Sequence, residues 1–178
     1  MGKGGREMLW QGKVFDFNCE AFTLPNHRKI EMGVIHHPGS SGVIPILDDH
    51  SVVLVYQYRP IINKYIWEIP SGTMIPGENP MECAKRELRE ECGLIGKKFE
   101  TLGEILVAPW YSDERTHLHI ATELIPCEQN LDEDEILTTH IFPFLEAMKM
   151  IEKGDIQDAT TILTLQMAYP IWQRRKGL

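Results

Sequence analysis

The sequence predicts an α+β fold built on a mixed sheet, and three observations carry that expectation. Short β-rich runs, separated by turn signals, fill the chain up to residue 69. A helix with recognisable start and stop residues follows at 80–92, and β-rich runs resume after it. Helical patterns close the chain from residue 143 onward. With 178 residues there is enough chain for one domain with a substantial core and a small appendage.

In order, residues 1–8 are Gly- and Lys-rich and are expected to be frayed. Strands are expected at 10–14, 15–24 and 30–37, with Pro25-Asn26-His27 as a turn between the last two. Trp10 is suited equally to core or dimer packing and to stacking on a base. Pro38-Gly39-Ser40-Ser41-Gly42 reads as a break. Runs at 43–47 and 52–58 then flank Asp48-Asp49-His50 as a hairpin. Ile66-Trp67-Glu68-Ile69 is a short strand leading into Pro70-Ser71-Gly72.

Beyond the helix, 98–106 and 116–125 read as strands joined by the loop Pro109-Trp110-Tyr111-Ser112-Asp113. Leu118, Ile120 and Leu124 are expected on one buried face. Residues 129–135 form an acidic loop, 137–142 a final strand, and 143–153 a helix stopped by Gly154. Asp158 caps the last helix, with Ile162, Leu165 and Ala168 inward, and Pro170 is expected to kink or break it.

Composition excludes some classes of function. A formal net charge of -8 argues against a general nucleic-acid binder, which would carry a basic footprint. No apolar run approaches the length of a membrane span, and the N-terminus has no signal-like apolar segment. The four cysteines, Cys19, Cys83, Cys92 and Cys127, form no CxxC pair. They read as reduced thiols of a cytoplasmic protein, used as small hydrophobes.

The chemistry lies in Gly72 to Leu94, GTMIPGENPMECAKRELREECGL. Asn79 is a good N-cap, Pro80 suits the first helical position, Glu82 falls at N3, and Gly93 suits a left-handed stop. At about 3.6 residues per turn, Glu87 and Glu91 share a stripe with Glu90 beside them. Met81, Ala84 and Leu88 form the adjoining apolar stripe. The acids therefore sit at the edge of the buried face. Either they are a solvated stripe neutralised by Lys85, Arg86 and Arg89, or they ligate a divalent cation that turns their repulsion into coordination. The placement of both glycines favours the second.

Gly72, Glu78, Arg86, Glu87, Glu90, Glu91 and Gly93, with Leu88 and Leu94 in two aliphatic slots, match every fixed position of the Nudix box, GX5EX7REUXEEXGU. The sequence thus resembles the Nudix hydrolases. Their fold, an α/β/α sandwich with a mixed sheet, is expected here over 39–178, preceded by a β region at 9–38. Other segments resemble the ADP-ribose pyrophosphatases in particular. These are Gln57-Tyr58-Arg59-Pro60, Glu68 to Gly72, Pro109, the acidic run Asp132 to Glu135, and Gly154 to Ala159. Two departures stand out: Ser71 where the subfamily has Ala, and Trp110-Tyr111 where it often has Gly.

The resemblance implies hydrolysis of the pyrophosphate of ADP-ribose or a related nucleoside diphosphate sugar. The alternatives are another Nudix substrate, such as a sugar nucleotide, a dinucleoside polyphosphate or NADH, or a sensing module without turnover. Mg²⁺ is the implied metal, with Mn²⁺ as a substitute, held by Ser71, Glu87, Glu90 and Glu91. Glu87, Glu91, Arg86 and Glu133 are the implied catalytic residues, with Glu133 as base or water-orienting group in preference to Glu135. Arg59, Glu68, Trp10 and Glu135 are assigned to substrate binding. The subfamily also implies a homodimer through residues 9–35, where a short β layer cannot by itself bury large apolar residues such as Trp10, Phe15, Phe17 and Phe22.

Overall fold

The computed structural model describes residues 6–177. Three antiparallel strands open the chain: β1 Arg6–Gln11, β2 Asp16–Thr23 and β3 Lys29–His36, forming a separate sheet in that order. A four-stranded sheet has the order β7-β4-β9-β8, from β4 Ser40–Pro45, β7 Ser71–Thr73, β8 Leu94–Leu106 and β9 Arg115–Pro126. Its central β4–β9 pair is parallel and its flanking pairs are antiparallel, so the sheet is mixed. A third sheet joins β10 Leu137–Pro143, β5 Ser51–Arg59 and β6 Lys64–Glu68. The helices are α1 Pro80–Cys92, α2 Phe144–Lys153 and α3 Ala159–Lys176.

Alternation along the central strands produces the layers. Val43 and Ala121 pack with Ala84 and Leu88 of α1. Their neighbours Ile44 and Ile120 point the other way, into a larger core with Leu54, Phe144, Leu165 and Trp172. Helix α1 therefore covers one face and α2 with α3 the other, which is the α/β/α sandwich expected from the sequence.

Helix α1 has the expected bounds, because its ends are specified locally. Glu82 N–H donates to Asn79 Oδ1 at 3.0 Å, and Asn79 N–H donates to Glu82 Oε2 at 3.1 Å. Gly93 closes the helix in the left-handed region (φ 61), and its N–H reaches the Arg89 carbonyl. The other two helices also start and stop as expected, at Asp158, Gly154 and Pro143.

Several expectations need correction, each because of pairing with distant residues. The first strand starts at Arg6 inside the stretch expected to fray, since Arg6 to Met8 pair with Glu20 to Asn18. Residues 1–5 lie outside the described residues. The break at 38–42 contains the start of β4, because Ser40, Ser41 and Gly42 pair on one side with β7 and on the other with β9. The hairpin over 43–58 reduces to one bridge, Ile46 with Val52, since β4 and β5 find partners in different sheets. β8 begins at Leu94, four residues early, because Cys127 N–H caps the Gly93 carbonyl and aligns the β8–β9 ladder. Leu124 leaves the face of Ile120 and packs beside Ala121, as Glu123 adopts a positive φ of 55 that resets the alternation. Pro170 leaves α3 unbroken. It and Gln166, whose carbonyl loses its usual donor, both lie on the exposed side, where the missing bond is open to solvent. Trp172 is anchored beyond it by its indole N–H to the His50 carbonyl at 2.9 Å.

The N-terminal sheet meets the rest of the chain at the 108–114 loop. Ile35 N–H donates to the Tyr111 carbonyl at 2.7 Å, and Asp113 N–H donates to the Ile35 carbonyl at 3.2 Å. Next to this seam the His36 ring lies between two acids, with Nδ1 2.6 Å from Asp113 Oδ2 and Nε2 2.7 Å from Glu20 Oε1. Both partners are carboxylates, so the ring donates on both sides when it is protonated. Those two bonds, Asp113 first, raise the His36 pKa above its ordinary value.

Candidate active site

The box loop and α1 form one ionic unit around Arg86. Its Nε and Nη2 hold the Glu78 carboxylate side-on at 2.8 and 3.0 Å. Nη1 reaches Glu87 Oε1 at 2.6 Å and Glu90 Oε2 at 3.1 Å, and Nη2 also donates to the Thr73 carbonyl at 3.1 Å. The Arg86 bonds hold the Glu78 carboxyl below its usual range. One guanidinium thus ties the loop to the helix and aims two helical carboxylates. The orienting role expected of Arg86 has this geometric basis. Glu78, a fixed box position that went without a site role above, is the anchor of the arrangement.

Glu87 also belongs to a second group. One carboxylate oxygen from each of Glu87, Glu91 and Glu135 lies within 4.8 Å of the others. Glu87 is 5% and Glu91 1% exposed. Burial raises the Glu87 pKa to about 7 despite the pull of Arg86. Burial and the Glu87 charge push Glu91 well above its ordinary value. Glu91 Oε2 accepts the Ser71 N–H at 2.9 Å. Gly72 makes room for this group, since a Cβ there would lie 1.8 Å from Glu87 Oε1.

Such a crowd of hard oxygen donors is what a small divalent cation requires. Glu87, Glu91 and Glu135 fit Mg²⁺ or Mn²⁺ by donor type and closeness. Glu90 and the Ser71 carbonyl are also expected as ligands. Glu90 is turned to Arg86, and Ser71 meets the group through its N–H to Glu91.

The acidic loop and the strand ends differ from expectation in arrangement. Glu133 is exposed and outside the carboxylate group, whereas Glu135, two residues on, is inside it. A loop's path decides such a choice, and no periodic signal distinguishes the two positions. Arg59 and Glu68 are paired with each other, Nε to Oε1 at 2.9 Å and Nη2 to Oε2 at 2.6 Å. The fork expected to grip a phosphate is thereby occupied by Glu68. Trp10 is half exposed and packs on Phe15 at 5.2 Å in the N-terminal sheet, apart from the sheets and helix that carry the carboxylates.

The NUDIX domain model matches residues 36–165, and the chain belongs to the Nudix family. Within it, the chain is a hydrolase acting on pyrophosphate bonds, similar to enzymes of that activity along nearly its whole length. An ADP-ribose pyrophosphatase of Bacillus subtilis (strain 168) is 33% identical over 163 residues, covering 90% of this chain and 88% of that protein. A methanol dehydrogenase activator of Bacillus methanolicus is 34% identical over 162 residues, with the same coverage of 90% and 88%. A crystal structure of an ADP compounds hydrolase superposes with a TM-score of 0.83 at 23% identity, covering 99% of this chain and 95% of that one, which establishes the shared fold.

Proposed function

We propose that this hydrolase splits ADP-ribose into AMP and ribose 5-phosphate, with related nucleoside diphosphate sugars as secondary substrates. The observation that carries the reading is the group Glu87, Glu91 and Glu135 beside the Arg86 hub, in a chain 33% identical to an ADP-ribose pyrophosphatase. A bound Mg²⁺ would neutralise pyrophosphate charge and lower the pKa of a bound water. Glu87 and Glu91 would hold it, with Glu90 and the Ser71 carbonyl as the further ligands of this reading. Arg86 keeps Glu87 and Glu90 in place. Glu135 takes the proton of the attacking water, a role its position supports over the exposed Glu133. Arg59, oriented by Glu68, offers its remaining N–H groups to a phosphate oxygen.

One test is a Mg²⁺-supported panel of ADP-ribose, sugar nucleotides, NADH, dinucleoside polyphosphates and ATP. ADP-ribose should give the highest kcat/KM. A higher value for ATP or a dinucleoside polyphosphate defeats the substrate assignment. A second reading, action through another protein, is favoured by the relative called a methanol dehydrogenase activator. The closely grouped carboxylates argue for turnover instead.

The functional unit in this reading is a cytoplasmic homodimer joined through residues 9–35. Met8, Leu9, Trp10, Phe15 and Phe17 are exposed on this layer, an apolar surface that favours a partner copy. Trp10 would then border the partner's substrate pocket. Removal of residues 1–35 should give a monomer in sedimentation with a raised KM. A monomeric full-length chain, unchanged in activity by that deletion, rules the dimer out.

A further inference from the structure

The segment from Ile69 to Gly72 leads from the third sheet to the carboxylates, and successive backbone groups of it are tied to different elements. Ile69 N–H donates to Thr161 Oγ1 of α3 at 2.9 Å. The Pro70 carbonyl accepts from Val43 N–H of β4 at 3.0 Å. Ser71 N–H donates to Glu91 Oε2 of α1 at 2.9 Å, and the Gly72 carbonyl accepts from the Cys83 thiol at 3.4 Å. Pro70 has no N–H and a fixed φ, so a shift at Ile69 passes on to Ser71 with little slack.

The tie to α3 is directional. Ile69 N–H is only a donor, so the Thr161 oxygen must accept. The Thr161 hydroxyl proton therefore goes to Asp158 Oδ2, 2.7 Å away, which also accepts Thr161 N–H at 2.7 Å. Asp158 thus does more than cap α3: it turns the hydroxyl so that a lone pair faces Ile69. Thr161 is fully buried and Ile69 is 1% exposed, so no water can replace this bond.

We propose that Thr161, oriented by Asp158, is a positioning residue for the metal carboxylates: it fixes the Ile69–Ser71 segment and through Ser71 N–H sets the place of Glu91. The role rests on the metal reading above. Among the described residues the Thr161–Ile69 bond is the one side-chain hydrogen bond from the C-terminal helix to the segment that leads into the site. The residue acts through Ser71 and Glu91, not on substrate.

The test measures Mn²⁺ binding to the full-length protein by electron paramagnetic resonance, with no substrate present, for wild type and for Thr161→Val, Thr161→Ser, Asp158→Ala and Leu165→Ala. Thr161→Val keeps the volume and removes the acceptor. It should weaken Mn²⁺ about tenfold, the low end of what lost support of a metal ligand does. Thr161→Ser should restore wild-type affinity, and Asp158→Ala, which leaves the hydroxyl unoriented, should weaken Mn²⁺ about threefold, less than loss of the acceptor itself. Asp158→Ala also decides the matter if Thr161→Val does not fold. Leu165→Ala lowers Tm from the same helix and should leave Mn²⁺ affinity unchanged. The role is overturned if Thr161→Val and Asp158→Ala bind Mn²⁺ like wild type, or if Leu165→Ala weakens binding as much as Thr161→Val does. Wild-type protein without saturable Mn²⁺ binding overturns the metal site itself and this role with it.

Discussion

Glu20 and Glu91 are both buried acids on regular elements, 4% and 1% exposed, in opposite electrostatic settings. Glu20 accepts from the His36 imidazolium at 2.7 Å and lies 3.3 Å from Arg6 Nε. Glu91 receives the Ser71 N–H, is grouped with Glu87 and Glu135, and feels Arg59 only at longer range, Arg59 being paired with Glu68. Where the chain supplies a cation, a buried carboxylate holds two elements together. Where it supplies too few, the missing charge must come from solution, and the site acquires a function. The seam at His36 and the group at Glu91 are thus the closed and open versions of one problem.

The strongest way to break this contrast is Glu91→Gln. Loss of the charge should lower kcat at saturating Mg²⁺ by at least about two orders of magnitude, the scale of removing one key electrostatic group. The fold should survive, and in EDTA the Tm should equal or exceed that of wild type, because an unfavourable buried charge is gone. Near-normal turnover would show that Glu91 is structural in the manner of Glu20.

A steric version acts on the neighbour. Gly72→Ala places a Cβ 1.8 Å from Glu87 Oε1 and must displace that carboxylate. Metal affinity should fall about tenfold or more, as for other disturbed ligand settings, with far-UV circular dichroism unchanged. A Mn²⁺ titration measures it, and wild-type affinity would contradict the arrangement.

The third prediction uses pH. Burial raises the Glu87 pKa to about 7 from 4.5, so folding favours the protonated form. Its contribution is fully present below the unfolded value, about 4.3, and is lost as pH rises through about 7. The metal-free protein should therefore lose Tm between roughly pH 5 and 8 through this group. Mg²⁺ at about one hundred times its Kd should add about 2.7 kcal/mol. Scanning calorimetry with EDTA and with Mg²⁺ checks both; a metal-free Tm that climbs over that range contradicts the assignment.

The smallest effect belongs to the closed version. The His36 pKa is raised, so its stabilisation is present below its unfolded value, about 6.5, and is lost as pH rises through the folded one. His36→Gln should cost about 1 kcal/mol at pH 6 and remove this pH dependence from the seam. Hydrogen exchange at the Ile35 and Asp113 amides reads it directly. Protection that is the same in both proteins at pH 6 would mean that the backbone pairing alone holds the sheet to the loop.

The sequence by itself determined α1 to the residue and placed Glu87, Glu90 and Glu91 on its edge, because caps, a left-handed glycine and helical periodicity act within a few positions. It determined the family for the same reason, since the box is one local pattern. The stop at Gly154 and the cap at Asp158 were equally local. Only the tertiary structure decided which sheet each strand joined, because β4 reads the same whether it pairs with β5 or with β7 and β9. It also decided that Glu135 rather than Glu133 meets Glu87 and Glu91, and that Arg59 spends its fork on Glu68. Thr161 carried no signal beyond a good third position of a helix; its link to Ile69 spans 92 residues of chain. Contacts of that range depend on how layers stack, and stacking is set by the whole core.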